Sequence, residues 1–148
     1  MGSWLTGKEV RLRRGSRRDL EAIARLLDPS ALAERGRRFD RRLVADLGHD
    51  VYVAESREGE LVGVVALAYF RSLTAGRFVA ILDTLRVAGD RPTALAGLLD
   101  LAERRARSRG CRDLLAMPGA MAGAVGAMLR ERGWTERTLL GGEPEEPT

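Results

Sequence analysis

Residues 61–70 have the sequence LVGVVALAYF and carry no charged side chain. A strand that is apolar at nearly every position is typical of the interior of a sheet, where both faces are covered. Short turns separate this run from two further strand patterns, VYVAES at residues 51–56 and RFVAILDTLRV at residues 77–87. This order predicts a group of antiparallel strands. Gly63 predicts a bulge or a close approach of the backbone, and Tyr69 is expected in the core with its hydroxyl at an edge.

The rest of the chain alternates between strand and helix patterns. Residues 9–15 alternate apolar and charged side chains, which predicts a half-buried first strand. Ser16 and Asp19 have the spacing of a capping box and predict the start of a helix. In chain order, we predict helices at residues 16–28, 30–48, 92–109 and 121–132, and strands at residues 112–117 and 134–140. The strand, helix and strand over residues 77–117 imply a right-handed crossover and parallel pairing.

The composition is that of one α/β domain. The chain has 148 residues, of which 45% are hydrophobic, which is enough for a core at this length. We assign residues 1–140 to a single domain and expect the polar, proline-rich tail at 141–148 to be disordered. The one cysteine, Cys111, is expected in the core. A lone cysteine favours a reduced, cytoplasmic location, and no apolar run is long enough for a membrane span.

The charge balance is basic but says little about partners. Of the 25 basic residues, 24 are arginines, and the net charge is +4. A bias of arginine over lysine resembles a bacterial genome of high G+C content, so the basic balance is weak support for a nucleic-acid partner. Five arginines crowd the predicted helix 30–48, which indicates either a solvated face or a docking surface for an acidic partner.

The order of elements, β-α-α-β-β-β-α-β-α-β, resembles the GNAT superfamily of acetyltransferases. Three stretches carry the resemblance: residues 9–27, the strand ending Leu85-Arg86-Val87 with the turn and helix that follow, and AVGAMLRERGW at residues 124–134. The resemblance implies an α/β fold with a mixed, mostly antiparallel sheet and flanking helices. It further implies transfer of an acetyl group from acetyl-CoA to an amine of a small molecule or a protein, and it leaves a homodimer open.

The family holds the pyrophosphate of acetyl-CoA on backbone N–H groups at the start of the helix after the strand 77–87. The unpaired amides and positive dipole end of a helix suit an anion. The residues that the resemblance places along the cofactor are Leu85, Val87, Arg91, Thr93, Ala94, Leu95 and Ala96. The family signature there, Arg/Gln-x-x-Gly-x-Gly/Ala, is eroded in this chain. Pro92 removes one N–H, and the methyl groups of Ala94 and Ala96 are expected where a phosphate would approach. An anion site and an ordinary structural turn both stay open.

The family reaction requires an amine that has lost its proton, often through a carboxylate or an ordered water. Asp83 is the one acid in the strand 77–87, and a period of two places it on the same side as Ile81 and Leu85. It is either a catalytic base or a structural partner of an arginine such as Arg86 or Arg71. Glu55 is the second catalytic candidate. No cluster of histidine and cysteine indicates a metal site.

The closing helix departs from the family pattern. Leu129 stands where the family often has a tyrosine that protonates the leaving thiolate, and Ala122 or one of its neighbours stands where the family often has an asparagine near the helix start. These losses support a second hypothesis, a GNAT-like domain without catalysis that binds a protein partner or another ligand. A third hypothesis, an arginine-rich nucleic-acid-binding domain, is disfavoured because aromatic residues make up 5% of the chain.

Overall fold

The computed structural model describes residues 4–6, 10–27, 49–74, 76–117, 120 and 123–135, with side chains from residue 10 onward. The strands are β1 Trp4–Thr6, β2 Val10–Arg14, β3 His49–Ser56, β4 Leu61–Ser72, β5 Arg77–Val87 and β6 Leu114–Ala116. The helices are α1 Leu20–Leu27, α2 Pro92–Ser108 and α3 Ala124–Glu131. The predicted helix at 30–48, most of the predicted strand at 134–140 and the tail lie outside the described residues.

The six strands form one sheet in the order β1-β2-β3-β4-β5-β6. Pairing is antiparallel from β1 to β5, and β5 pairs with β6 in parallel. The mixed, mostly antiparallel α/β sheet is therefore confirmed, and α2 makes the predicted crossover between β5 and β6. β1 was not predicted, because three residues are too few to give a pattern. No described helix has the length and apolar character to cross a membrane.

The two faces of the sheet carry helices of different size. The face toward α2, called the α2 face, holds the main core, which includes Leu12, Leu67, Leu82, Leu98 and Leu129. The face toward α1, called the α1 face, has a smaller cluster of Ile23, Val53 and Val64. β4 is buried on both faces over residues 62–65, as its apolar sequence predicts. Pairing with β3 ends at Ala68, and Phe70 beyond it is 43% exposed.

The start of α1 confirms the predicted capping box. The Asp19 carboxylate accepts hydrogen bonds from the Ser16 backbone N–H at 2.7 Å and from the Ser16 hydroxyl at 3.1 Å. A short 3₁₀ turn, Arg17–Asp19, separates Ser16 from α1. The capping residues therefore fix the point at which the chain leaves β2 and turns onto the α1 face.

Gly63 is both a bulge position and a point of close approach. Ala54 pairs with Gly63 and Glu55 pairs with Leu61, so Val62 is an extra residue on β4. A Cβ added at Gly63 would lie 2.9 Å from Cδ1 of Leu98 and 3.3 Å from Cβ of Ala54. Leu98 is fully buried, so it has little room to withdraw. Glycine here lets α2 rest directly on β4.

We predict that Gly63→Val lowers the free energy of unfolding by about 1–3 kcal/mol, because the added methyl groups overpack the contact between α2 and β4. Gly63→Ala adds one methyl and should cost less. Urea unfolding of wild type, Gly63→Ala and Gly63→Val measures these differences in the free energy of unfolding. Equal stability of all three would show that α2 does not rest on this position.

Candidate functional site

A bulge in β5 determines where Asp83 lies. Ala66 pairs with Thr84 and Leu67 pairs with Leu82, so Asp83 is an extra residue between them. The bulge changes the alternation, and Leu82 and Leu85 both enter the core on the α2 face. The expectation that Asp83 shares an apolar side with Ile81 and Leu85 is therefore wrong. Asp83 is exposed, and its carboxylate accepts a hydrogen bond from the Thr84 hydroxyl at 3.1 Å.

The two arginines proposed as structural partners of Asp83 are engaged elsewhere. Arg86 donates to the backbone carbonyl of Leu27 at 3.1 Å. The Arg71 guanidinium lies 5.2 Å from the centre of the Phe78 ring. Within the described ranges, neither arginine forms an ion pair with Asp83. The carboxylate is thus left facing solvent at the bulge.

β5 and β6 separate at the same place. Their parallel pairing runs from Ala80 with Leu114 to Leu82 with Ala116, and the Met117 N–H donates to the Leu82 carbonyl at 3.0 Å. β5 then continues to Val87 along β4, while the described part of β6 gives it no further partner. We call this opening, bounded by residues 83–87 of β5 and the end of β6, the fork. The edge of a strand that lacks a neighbour can pair with an extended ligand.

The turn after the fork leads directly to the start of α2. Gly89 adopts φ of +64°, which favours glycine at this turn. Arg91 precedes the first residue of the helix, Pro92, and no side chain caps the helix start. Arg91, Pro92 and Thr93 are exposed. The first turn of α2 therefore offers amide donors to solvent, less the one that Pro92 lacks.

One expectation about this turn is wrong. The side chain of Ala94 is 1% exposed and packs in the main core beside Leu95, so its methyl group does not face the solvent side of the helix start. Ala96 is half-buried, and its carbonyl accepts a hydrogen bond from Arg132 at 3.3 Å. Leu85 and Val87 thus lie on the part of β5 that borders the fork. The exposed residues Arg91 and Thr93 follow them at the start of α2.

Glu55 lies in a different cluster, on the α1 face. Its carboxylate is 2.8 Å from Nη2 of Arg13 and 3.6 Å from Nε of Arg11. Arg13 also donates to both carboxylate oxygens of Asp19 at 2.7 Å. Hydrogen bonding between Arg13 and Asp19 lowers the pKa of the Asp19 carboxyl and raises the pKa of the Arg13 guanidinium.

The structure does not bring the two catalytic candidates together. Glu55 pairs with Leu61, and the Asp83 bulge lies opposite the step from Ala66 to Leu67. The offset of about five residues along β4 amounts to roughly 16 Å. A pair of cooperating carboxylates is thereby excluded for these two residues.

The closing helix is apolar where the family often has a tyrosine. Leu129 is fully buried in the main core. Two residues just after α3 contact α2. Arg132 forms an ion pair with Asp100 at 2.5 Å, and the Trp134 ring N–H donates to Glu103 at 3.4 Å. Leu129 thus serves packing, and Ala122 lies outside the described residues.

A second polar cluster, which the sequence did not reveal, surrounds Asp50 near the start of β3, on the α2 face. Asp50 is fully buried. Its carboxylate accepts a hydrogen bond from the Tyr69 hydroxyl at 2.7 Å and lies within 3.5 Å of Arg14, Arg105 and Arg109. Burial and the hydrogen bond to Asp50 raise the pKa of Tyr69. For Arg105, burial lowers the pKa, but the hydrogen bond and charge of Asp50 outweigh it and raise the pKa overall.

Comparison with known proteins identifies the fold. No family model and no curated protein matches the sequence. Among solved structures, a probable acetyltransferase has a TM-score of 0.73 at 18% identity and covers 93% of this chain and 98% of its own. A putative acetyltransferase from Agrobacterium tumefaciens has a TM-score of 0.71 at 23% identity, with coverage of 91% and 99%. A ribosomal-protein-alanine N-acetyltransferase from Brucella melitensis biovar Abortus has a TM-score of 0.66 at 19% identity, with coverage of 88% and 98%. The chain has the GNAT fold.

We predict that Asp19→Asn lowers the free energy of unfolding at pH 7 by about 1–2 kcal/mol, since it removes a charge-assisted hydrogen bond and alters the helix cap. The folded state lowers the pKa of Asp19, so its contribution to stability is complete above the unfolded pKa of about 4. It should disappear as the pH falls through the lower, folded pKa.

Urea unfolding from pH 7 to pH 2 measures this deficit. Glu21→Gln is the control, because Glu21 forms an exposed pair with Arg25 on the same helix and should change stability by less than about 0.5 kcal/mol. A deficit for Asp19→Asn that persists unchanged at pH 2 would contradict the assignment to the charged pair.

Proposed function

We propose that the chain is an N-acyltransferase that moves the acetyl group of acetyl-CoA directly to an amine of a small molecule or a protein. The observation that carries the proposal is the fork: pairing between β5 and β6 ends at Leu82, and β5 continues to Val87 with no partner on the β6 side among the described residues. The acetyltransferases to which the chain is similar in fold support the same class of reaction.

The residues at the fork fit a long ligand that ends in a diphosphate. The backbone edge at Leu85 and Val87 would hold the extended pantetheine arm through main-chain hydrogen bonds. The uncapped start of α2 would receive the pyrophosphate, with Arg91 and Thr93 as exposed side-chain donors. Leu95 would anchor this turn from the core, where it is 6% exposed. Acetyl-CoA would serve as a co-substrate.

Direct transfer requires removal of a proton from the acceptor. The amine nitrogen attacks the thioester carbonyl, the C–N bond forms, the C–S bond breaks, and the amine gives up a proton. An amine similar to a lysine side chain has a pKa of about 10.4 and is mostly protonated at neutral pH. Asp83, at the fork, is our candidate for the group that takes this proton, directly or through water. Glu55 is the second candidate, although Arg13 already engages it.

Leu129 and Pro92 favour a second candidate function, binding without catalysis. The chain has a buried leucine where the family often has a proton donor, and Pro92 removes an amide from the helix start. Both changes suit a GNAT-like domain that binds a partner or another ligand without catalysis. A titration with acetyl-CoA, followed by an assay for thiol release with a panel of amines, distinguishes the two functions: binding with turnover supports the first, and no turnover with any amine supports the second.

We predict that Pro92→Ala tightens the binding of acetyl-CoA by about 2–10-fold, because it restores an N–H at the start of α2, worth roughly 0.5–1.5 kcal/mol. Isothermal titration calorimetry with acetyl-CoA and with free CoA measures the change. Ala94→Gly should bring no such gain and should lower the free energy of unfolding by about 1 kcal/mol, because the Ala94 methyl is buried in the core. If neither wild type nor Pro92→Ala binds at millimolar concentration, this turn is not a cofactor site.

We predict that Asp83→Asn lowers turnover by roughly 10²–10⁴ and leaves the affinity for acetyl-CoA nearly unchanged. The melting temperature should also stay close to that of wild type, because Asp83 is exposed and its one described partner is Thr84. Thiol release and thermal unfolding are measured on the same sample. Glu58→Gln, at an exposed carboxylate in the turn between β3 and β4, is the control. Full activity of Asp83→Asn would remove Asp83 from the mechanism and turn attention to Glu55→Gln.

A further inference from the structure

The part of β5 that borders the fork, residues 83–87, carries two charged side chains of opposite sign, Asp83 and Arg86, and both are exposed. Arg86 pairs with Val64, which belongs to the cluster on the α1 face, so the Arg86 side chain lies on that face as well. Thr84, two residues earlier, shares the α1 face, and its hydroxyl donates to the Asp83 carboxylate at 3.1 Å. A negative and a positive group therefore lie on the same side of β5, next to the fork.

The other face of the same strand is filled by the core. Leu82 and Leu85 are packed in the main core on the α2 face and are 0% and 4% exposed. On the α1 face, the residue opposite Thr84 is Ala66, a small side chain that is only half-buried. A small molecule that reaches the fork beside Asp83 would therefore approach from the α1 face.

The two charges do not neutralise each other. Arg86 donates through Nη1 to the carbonyl of Leu27, the last residue of α1, at 3.1 Å. A guanidinium suits this position, because the last carbonyls of a helix lack partners within the helix and form the negative end of its dipole. A guanidinium has five N–H donors, so most of them stay available. In the part of the chain that the structure describes, Asp83 and Arg86 form no ion pair with each other or with any other group.

A separated pair of opposite charges is complementary to a ligand with the reverse arrangement. Thr84, which contacts the Asp83 carboxylate, and Arg86 are two residues apart, or about 6.7 Å along an extended strand. An amino acid has an ammonium and a carboxylate that are joined through one carbon atom, and each can reach its partner through a charge-assisted hydrogen bond of about 2.8 Å. A diamine, by contrast, would be attracted by Asp83 and repelled by Arg86.

We propose that Asp83 and Arg86 form the acceptor site, and that the acceptor is a free amino acid. Its amine lies at Asp83 and Thr84, and Arg86 binds its carboxylate and so determines specificity. The C–N bond forms and the C–S bond breaks, giving the N-acetyl amino acid and CoA. The ammonium loses two protons, of which one ends on the CoA thiol and the other passes through Asp83 to solvent. This inference rests on the proposed acetyl transfer and names its acceptor.

The test compares the standard amino acids, each with its own amide, which keeps the side chain and lacks the negative charge. Thiol release from acetyl-CoA gives kcat/KM for both. In wild type, kcat/KM for an accepted amino acid should exceed that for its amide by about 10–100-fold, the range expected for a hydrogen bond between charged groups. The amine of the amide is less basic, so more of it is unprotonated at neutral pH. Amine reactivity alone would therefore favour the amide.

Arg86→Gln should remove this preference by raising KM for the amino acid about 10–100-fold, with kcat/KM for the amide nearly unchanged. Arg86→Lys should restore part of the preference, and Arg86→Glu should favour the diamine putrescine over amino acids. Arg71→Gln is the matched control, because it removes an exposed arginine from the neighbouring strand β4 at a position paired with Phe78, away from the fork. It should keep the wild-type preference.

The preference for acid over amide separates recognition from stability. Arg86→Gln also removes the hydrogen bond to Leu27, but a loss of folded protein lowers both rates equally and leaves their ratio unchanged. If wild type acetylates amides as well as acids, or if Arg86→Gln keeps the preference, the acceptor site is overturned and the proposed function stands. An equal loss of preference in Arg71→Gln also overturns the site. Absence of turnover with every amine overturns both.

Discussion

The extra residue in β5 is the constraint on which both the core and the fork depend. Without it, strict alternation would place Leu85 and Val87 on the opposite face from Leu82. With it, Leu82 and Leu85 both pack under α2, so the core continues to the start of the helix. A bulge also bends its strand, and β5 loses β6 as a neighbour at the same step. One inserted residue thus keeps the hydrophobic face continuous at the point where the described pairing of β5 with β6 ends.

Simple periodicity predicted where elements begin and end, but not the irregularities within them. The bounds of β5, the crossover through α2 and the capping box at Ser16 follow from alternation, helical spacing and local hydrogen bonding. The side of Asp83 was predicted wrongly because a bulge adds one residue and reverses the alternation beyond it. The orientation of Ala94 was available from the sequence: it precedes Leu98 by four residues, one helical turn, and so shares its buried face.

The Asp50 cluster could not be predicted from local pattern. Asp50 follows His49 in the polar triplet GHD, outside the predicted strand at residues 51–56, whereas β3 begins at His49. Its arginine partners are 36, 55 and 59 residues away in the sequence, and they meet because β2 and α2 both end near the start of β3. A short-range signal did exist, since Asp50 alternates with Tyr52 and Ala54, which face the main core. An acid at a core-facing position requires partners, and only the fold supplies them.

For the proposed acetyl transfer, a leucine at position 129 in place of the family's frequent tyrosine should matter less than the position of the carboxylate. A thiol has a pKa of about 8.5, within two units of neutral pH, so a departing thiolate is tolerable and can take its proton from water at an open fork. An ammonium acceptor with a pKa of about 10.4 faces the larger barrier, because only a small fraction is nucleophilic without a base. Leu129 is fully buried, and a hydroxyl there would need a partner that the surrounding leucines do not offer. The buried position of Leu129 therefore favours an apolar residue, and the proposed reaction would depend on a proton acceptor at the fork.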